Sequence, residues 1–141
     1  MANEALRADV VSAEKRVWEG EAISVIARTT EGDIGIMARH EPFLAALVPC
    51  AAEILTPDGN REILAVSDGF ISVSDNKVAI ITQFAAVAKE INAERAEREL
   101  AEAEKALDST DKDDESIVEV QQRYNRALAQ VKAAYKVGNK S

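Results

Sequence analysis

Glu90-Ile91-Asn92-Ala93-Glu94-Arg95-Ala96-Glu97-Arg98-Glu99-Leu100 is the stretch in which the hydrophobic period of the chain changes. From here on, apolar residues recur three and four apart: Ala93, Ala96, Leu100, Ala103 and Leu107, then Ile117, Val120, Tyr124, Ala127, Val131 and Ala134. That spacing places apolar side chains on one stripe of a helix, and two such stripes predict two helices packed along a seam. Before Lys89 the apolar residues come in short alternating runs cut by turn residues, the pattern of strands. The chain therefore divides into an all-β unit, residues 1–87, and an antiparallel helical hairpin, residues 88–141.

Leu6–Ser12 is the first predicted strand, and Val17–Thr29 follows with Ile23, Val25 and Ala27 on one face. Glu31-Gly32 turns the chain into a short strand, Ile34-Gly35-Ile36, which His40-Glu41-Pro42 ends. Ala51–Leu55 and Arg61–Val66 flank Pro57-Asp58-Gly59-Asn60, where Pro fixes φ and Gly accepts a positive φ. Asp68-Gly69 leads into Phe70–Ser74, and Asp75-Asn76 makes a tight hairpin into Val78–Thr82. Short strands at this spacing predict a sandwich or a flattened barrel. Phe84–Glu90 reads as a connector. Asn92 is the predicted N-cap of the first helix, because its side-chain oxygen can accept a free amide of the first turn. Asp108–Asp114 is the interhelical turn, Asp114 or Ser116 caps the second helix, and Gly138 ends it. The last residues, Asn139-Lys140-Ser141, are expected to fray. Alanine fills three of the five seam positions of the first helix, so the hairpin buries little area and is expected to be held weakly.

The net charge is −8. Residues 1–87 carry 7 basic and 13 acidic side chains, and residues 88–141 carry 10 and 12. An acidic strand unit argues against nucleic acid as a partner, since phosphate neutralisation needs a basic surface. Cys50 is the single cysteine, which excludes an intrachain disulfide and a thiolate metal cluster. No apolar run approaches the roughly 20 residues of a spanning helix. Met1–Asp9 lacks the apolar core of a signal peptide. A soluble protein is expected, with membrane attachment only through a complex.

Little in the sequence points to catalysis. His40 is the one histidine, so a His/Cys dyad would require His40 and Cys50, which flank Pro42 and Pro49 without a nucleophile-elbow pattern. Gly32 and Gly35 lack the spacing of a phosphate loop. Asp111-Lys112-Asp113-Asp114 is explained by a solvated turn. Tyr124 and Tyr135 fall at helical spacing, as core residues do. The residues point to a non-enzymatic binding or structural protein with no cofactor and no metal.

Several motifs, in order, resemble a known family. They are Asp9-Val10-Val11-Ser12-Ala13-Glu14, Val17-Trp18-Glu19-Gly20-Glu21-Ala22, and Gly32-Asp33-Ile34-Gly35-Ile36 followed by His40-Glu41-Pro42-Phe43-Leu44. Val66-Ser67-Asp68-Gly69-Phe70 and Ile91-Asn92-Ala93-Glu94-Arg95-Ala96 continue the series. Together they resemble the epsilon subunit of the rotary F-type ATP synthase over nearly the whole chain. The resemblance implies a ten-stranded β-sandwich carrying a C-terminal two-helix hairpin. It implies a central-stalk subunit that binds the gamma subunit, rests on the ring of c subunits, and inhibits ATP hydrolysis when the hairpin extends towards the alpha and beta catalytic subunits. It also implies a peripheral place on the cytoplasmic face of a bacterial plasma membrane. A free-standing sandwich adaptor with a protein-binding hairpin is the alternative.

The resemblance further assigns roles. Asp33, with His40 after it, would meet the c ring. Arg126, Lys132 and Lys136, projecting away from the seam, would meet an acidic loop of the beta subunits. Members that bind ATP carry Ile/Leu-Asp-x-x-Arg-Ala at the start of the first helix. Here the matching residues are Ile91, Asn92, Arg95 and Ala96, so the acid is lost. Glu102 stands where those members place an arginine; Arg126 matches one second-helix arginine, and Gln130 follows it one turn on. The nucleotide site is therefore expected to be degraded.

Overall fold

The computed structural model describes residues 4–138, so the expectation of fraying at 139–141 lies outside the described residues. Ten strands precede two helices. The strands are β1 (Leu6–Val11), β2 (Arg16–Ala22), β3 (Ser24–Thr29), β4 (Gly32–Met37), β5 (Phe43–Leu47), β6 (Cys50–Leu55), β7 (Arg61–Val66), β8 (Gly69–Ser74), β9 (Lys77–Thr82) and β10 (Ala85–Val87). A 3-10 turn at Ala88–Glu90 leads to α1 (Ala93–Asp108) and α2 (Ile117–Gly138).

Strand order is β10-β7-β6-β3-β5-β8-β9-β1-β2, with β4 also paired to β3. One layer holds β10, β7, β6, β3 and β4, and the other holds β5, β8, β9, β1 and β2. A single pairing, Thr29 with Leu47, joins β3 to β5. Alternation fills the space between the layers. Val25 and Ala27 of β3, Ile54 of β6, Leu64 and Val66 of β7, Ile71 and Val73 of β8, and Val78 and Ile80 of β9 all point inward and are buried. Their neighbours point out, as period-2 geometry demands.

Turn chemistry sets the register. Asp75 and Asn76 both have positive φ, the requirement of a two-residue hairpin whose twist matches its strands. Gly59 also has positive φ, and Thr56 N–H donates to Asn60 O at 2.9 Å to close its hairpin. At Gly69 the backbone comes close to β9. An added Cβ would lie 2.0 Å from the Ile81 carbonyl oxygen. A buried hydroxyl pair, Ser67 Oγ and Thr82 Oγ1 at 3.0 Å, ties the ends of β7 and β9 where the chain leaves the second layer. Ser67 Oγ also accepts from Phe84 N–H at 3.0 Å, which aims the chain into β10.

Two expectations are corrected here, and one strand is added that the sequence reading did not name. Val17–Thr29 is two strands: the chain bends at Ile23, whose N–H donates to Leu55 O at 2.7 Å, and β2 and β3 enter different layers. Phe43–Leu47 is a strand, paired along β8. The connector 84–90 contains β10, paired with β7 through Ala85 and Val66.

Asn92 caps α1 as its sequence context implied, its Oδ1 accepting from Arg95 N–H at 2.9 Å. Asp114 accepts from Ser116 N–H at 2.8 Å and Oγ–H at 2.7 Å, bonds that hold its carboxyl below the usual range. The Ser116 carbonyl then accepts from Val120 N–H to start α2. Ala96 and Ala103 of α1 are buried, as are Ala127 and Val131 of α2, in line with the seam. Tyr135 is an exception to the expectation of a core tyrosine. It is exposed at the rim and donates to the Glu97 carboxylate, which raises the hydroxyl's pKa.

The second helix has another buried stripe that seam periodicity did not reveal. Ala129 and Ala133 pack on Ile63, Ala65 and Ala88, bordered by Ala51, Phe84 and Ile91. The hairpin thus lies against the outer face of β6 and β7. The helix side of that contact is alanine, while the sandwich side adds Ile63, with Phe84 and Ile91 at the border. Each buried methyl contributes only about 0.8 kcal/mol, so docking is a matter of a few kcal/mol.

Candidate functional surfaces

The residues screened for catalysis have structural partners. The His40 ring shares a hydrogen bond of 2.7 Å between Nδ1 and Glu41 O, and packs edge-on to Phe43. Cys50 is buried at the start of β6, and burial pushes its thiol pKa up despite the nearby cations of Lys132, Lys136 and Arg28. Among the described residues, no three His, Cys, Asp or Glu side chains converge as metal ligands.

Projecting away from the seam brings Arg126, Lys132 and Lys136 onto the sandwich. The Arg126 guanidinium sits 4.4 Å above the Phe84 ring. Lys132 Nζ donates to Pro49 O at 3.4 Å, one turn from the helix's last cation. Lys136 Nζ lies 3.2 Å from Glu53 Oε1. Glu53 is on the outer face of β6, its side chain 9% exposed, and Arg61 of β7 also binds it. In this compact form all three cations are used internally.

Asp33 pairs with Arg28 across the β3–β4 hairpin, Oδ1 to Nε at 3.1 Å and Oδ2 to Nη2 at 3.3 Å. It lies in a cleft of about 290 Å³ that Arg28, Cys50, Lys132 and Lys136 also line. The structure therefore brings Asp33 together with the α2 cations. It does not bring Asp33 together with His40, which follows the far end of β4.

At the nucleotide motif, every matched polar group is already occupied. Asn92 caps its helix, Arg95 Nε lies 3.4 Å from Glu99 Oε2, and Arg126 covers Phe84. A cleft of about 280 Å³ between the helices is lined by Glu99, Glu102, Arg123, Arg126 and Gln130. Two carboxylates face the space a triphosphate needs, and like charges at 4 Å cost about 1–4 kcal/mol outside a dry interior.

The opposite layer exposes an apolar surface that sequence reasoning missed. Phe70 pairs with Ala46 on one side and Ile81 on the other, all three pointing outward. Phe70 is 55% exposed, Ile81 56% and Leu44 69%. A shallow groove beside them is lined by Ser12, Ala13 and Leu47. The signal was present in the adjacent pairs Phe70-Ile71 and Ile80-Ile81, which put apolar groups on both faces of their strands. A contiguous exposed patch of this kind marks an interaction site.

Comparisons with known proteins cover both parts of the chain. The family described as ATP synthase, Delta/Epsilon chain, beta-sandwich domain matches residues 5–88. The family described as ATP synthase, Delta/Epsilon chain, long alpha-helix domain matches residues 89–134. The chain is 44% identical over 137 residues to the ATP synthase epsilon chain of Cutibacterium acnes, covering 94% of each. It is 47% identical over 105 residues to the epsilon chain of Streptomyces avermitilis, covering 74% of this chain and 85% of that one. Among solved structures, a chain of the Euglena gracilis mitochondrial ATP synthase OSCP/F1/c-ring assembly superposes with a TM-score of 0.72 at 24% identity, over 93% of this chain and 81% of that one. A chain of the Tetrahymena thermophila mitochondrial ATP synthase central stalk and c ring gives a TM-score of 0.60 at 15% identity, over 97% and 98%. The two structural matches establish likeness of fold.

Proposed function

Because the chain belongs to the epsilon-chain family of the F-type ATP synthase, we propose that it is the rotor-stalk subunit that couples the c ring to the gamma subunit and restrains ATP hydrolysis through residues 88–141. It is a non-catalytic part of the F1 portion of a membrane-bound complex. Among the described residues no helix is long and apolar enough to cross a membrane. The chain is held at the cytoplasmic face of a bacterial plasma membrane through its partners, in keeping with its bacterial relatives.

The observation that carries this reading is the division of surfaces. The sandwich, residues 1–87, presents an apolar face at Phe70, Ile81 and Leu44 on the layer away from the helices. That face takes the gamma subunit. Asp33, exposed on its hairpin, reaches the polar loops of the c ring, and His40, beyond the far end of β4, would meet the ring at a separate point. Residues 88–141 form the regulatory unit: its few-kcal/mol docking lets it leave the sandwich and carry Arg126, Lys132 and Lys136 to the acidic surface of the beta subunits. A population shift between two forms needs an energy gap of that size.

Reconstitution with and without residues 88–141 tests the reading. Removal of the hairpin raises ATP hydrolysis severalfold and leaves proton-driven synthesis intact. Unchanged hydrolysis, or loss of coupling, overturns it. In the same assay Phe70→Asp in the full chain loses assembly with gamma, because a carboxylate replaces the centre of the apolar row.

Nucleotide does not control this hairpin. Glu99 and Glu102 oppose phosphate in the interhelical cleft, and each ~1.4 kcal/mol lost is tenfold in affinity. Calorimetry with ATP on the unmutated chain should give no saturable binding below millimolar concentration. A clear submillimolar isotherm would show that Arg123 and Arg126 suffice despite the two acids.

A further inference from the structure

We infer that the buried carboxylate of Glu53 is the catch of the compact form, and that it competes with an acidic partner surface for the α2 cation Lys136. The competition rests on the proposed regulatory role of the hairpin; the catch itself does not.

Glu53 lies in an otherwise apolar setting. Its cross-strand neighbours on β7 and β3 are Ile63 and Ile26, and α2 covers its face of the sheet with Ala129 and Ala133. A carboxylate in such a place is stable only when cations and donors satisfy it. Arg61 supplies one bond from within the sandwich, and Lys136 supplies the other from α2 at 3.2 Å. Lifting α2 removes one of the two cations on Glu53.

The alanine contact beneath α2 cannot do this work alone. Methyl groups on a flat sheet are non-directional, so they fix neither the register nor the orientation of a helix. Directional contacts are made along one edge of α2, at Asn125, which donates to the Asp68 carboxylate at 3.4 Å, Arg126 over Phe84, Lys132 on the Pro49 carbonyl, and Lys136 on Glu53. Only the last pairs opposite charges. The other charged groups in the adjoining cleft, Arg28 and Asp33, are bonded to each other and leave Glu53 to Arg61 and Lys136. An external carboxylate offers Lys136 an ion pair of the same kind that it gives up. Opening is then an exchange of partners with a small net free energy, which one differential contact can bias.

The test uses the full chain alone in solution, with small-angle X-ray scattering fitted as a mixture of compact and extended forms. Lys136→Gln changes a surface position of α2 and leaves the sandwich core untouched. It should shift the compact-to-extended ratio about tenfold towards extended, the order expected for a hydrogen bond between charged groups. Lys136→Arg should restore the compact form. Glu53→Gln combined with Lys136→Gln should open the hairpin no further than either single change, the mark of direct coupling. An unchanged compact-to-extended ratio in Lys136→Gln, or additive opening in the double variant, overturns the catch. Hydrolysis by the reconstituted complex separates the two ideas: opening in Lys136→Gln, with hydrolysis indifferent to residues 88–141, upholds the catch and removes the regulatory role.

Discussion

Ala133→Asp should lift the helical hairpin off the sandwich in the full-length chain while both parts keep their secondary structure. Ala133 is fully buried against Ile63, Ala65 and Ala88. A carboxylate there meets methyl groups and no donor. The effective penalty for an unpaired buried charge is several kcal/mol, which exceeds what an alanine-lined interface supplies. The hairpin escapes the penalty by leaving, because α2 retains its seam with α1 through Ala127 and Val131. Scattering should report an elongated particle, and amide exchange should quicken along the outer face of β7, whereas far-UV dichroism should change little. An unchanged particle length would mean that the interface tolerates or rearranges around the charge. If residues 88–141 have the proposed regulatory role, the same substitution should lower ATP hydrolysis by the reconstituted complex.

The second large effect concerns the sandwich. Gly69→Ala should lower its stability by about 3 kcal/mol, the upper part of the range for overpacking. The added methyl would meet the Ile81 carbonyl oxygen at 2.0 Å and Thr82 Cα at 2.7 Å, both backbone atoms that no rotamer change can move. The β8–β9 pairing must give way instead. For a unit of this size a loss of 1 kcal/mol shifts the midpoint by roughly 4–8 °C, so thermal unfolding followed by dichroism should show a drop of more than about 10 °C. A shift of only a degree or two would show that the strands part cheaply at this point.

Much of the fold was legible from side-chain period and turn chemistry. Pro57-Asp58-Gly59-Asn60 and Asp75-Asn76 set two hairpins because their backbone angles are restricted locally. Asn92 caps α1 for an equally local reason. The errors arose where tertiary partners decide. The run from Val17 to Thr29 contains no turn residue pair to break it, yet it splits at Ile23 because its halves pair with different strands. The docked face of α2 was hidden because alanine is small enough for a seam, a sheet contact or a solvated surface. Its true setting shows only once Ile63 and Ala65 are seen pointing outward from β7. Glu53 was missed likewise: a glutamate in an alternating strand reads as solvent-facing until a helix covers it.

The parallel pairing of β1 with β9, Ala8 beside Val78, has a consequence for the newborn chain. Once synthesised, β1 waits for residues 77–82 before it has its inner neighbour, with only β2 paired to it until then. Ribosomes add roughly 5–20 residues per second, so the edge of β1 stays open for several seconds of synthesis. The helices emerge after the strands, when the outer face of β6 and β7 already exists to receive them. An order of synthesis that exposes a strand edge before its neighbour is made, and delivers the helical cover after it, makes a chaperone useful while residues 23–76 are being added. It also means that a ribosome stalled before residue 77 holds a chain that cannot close its sandwich.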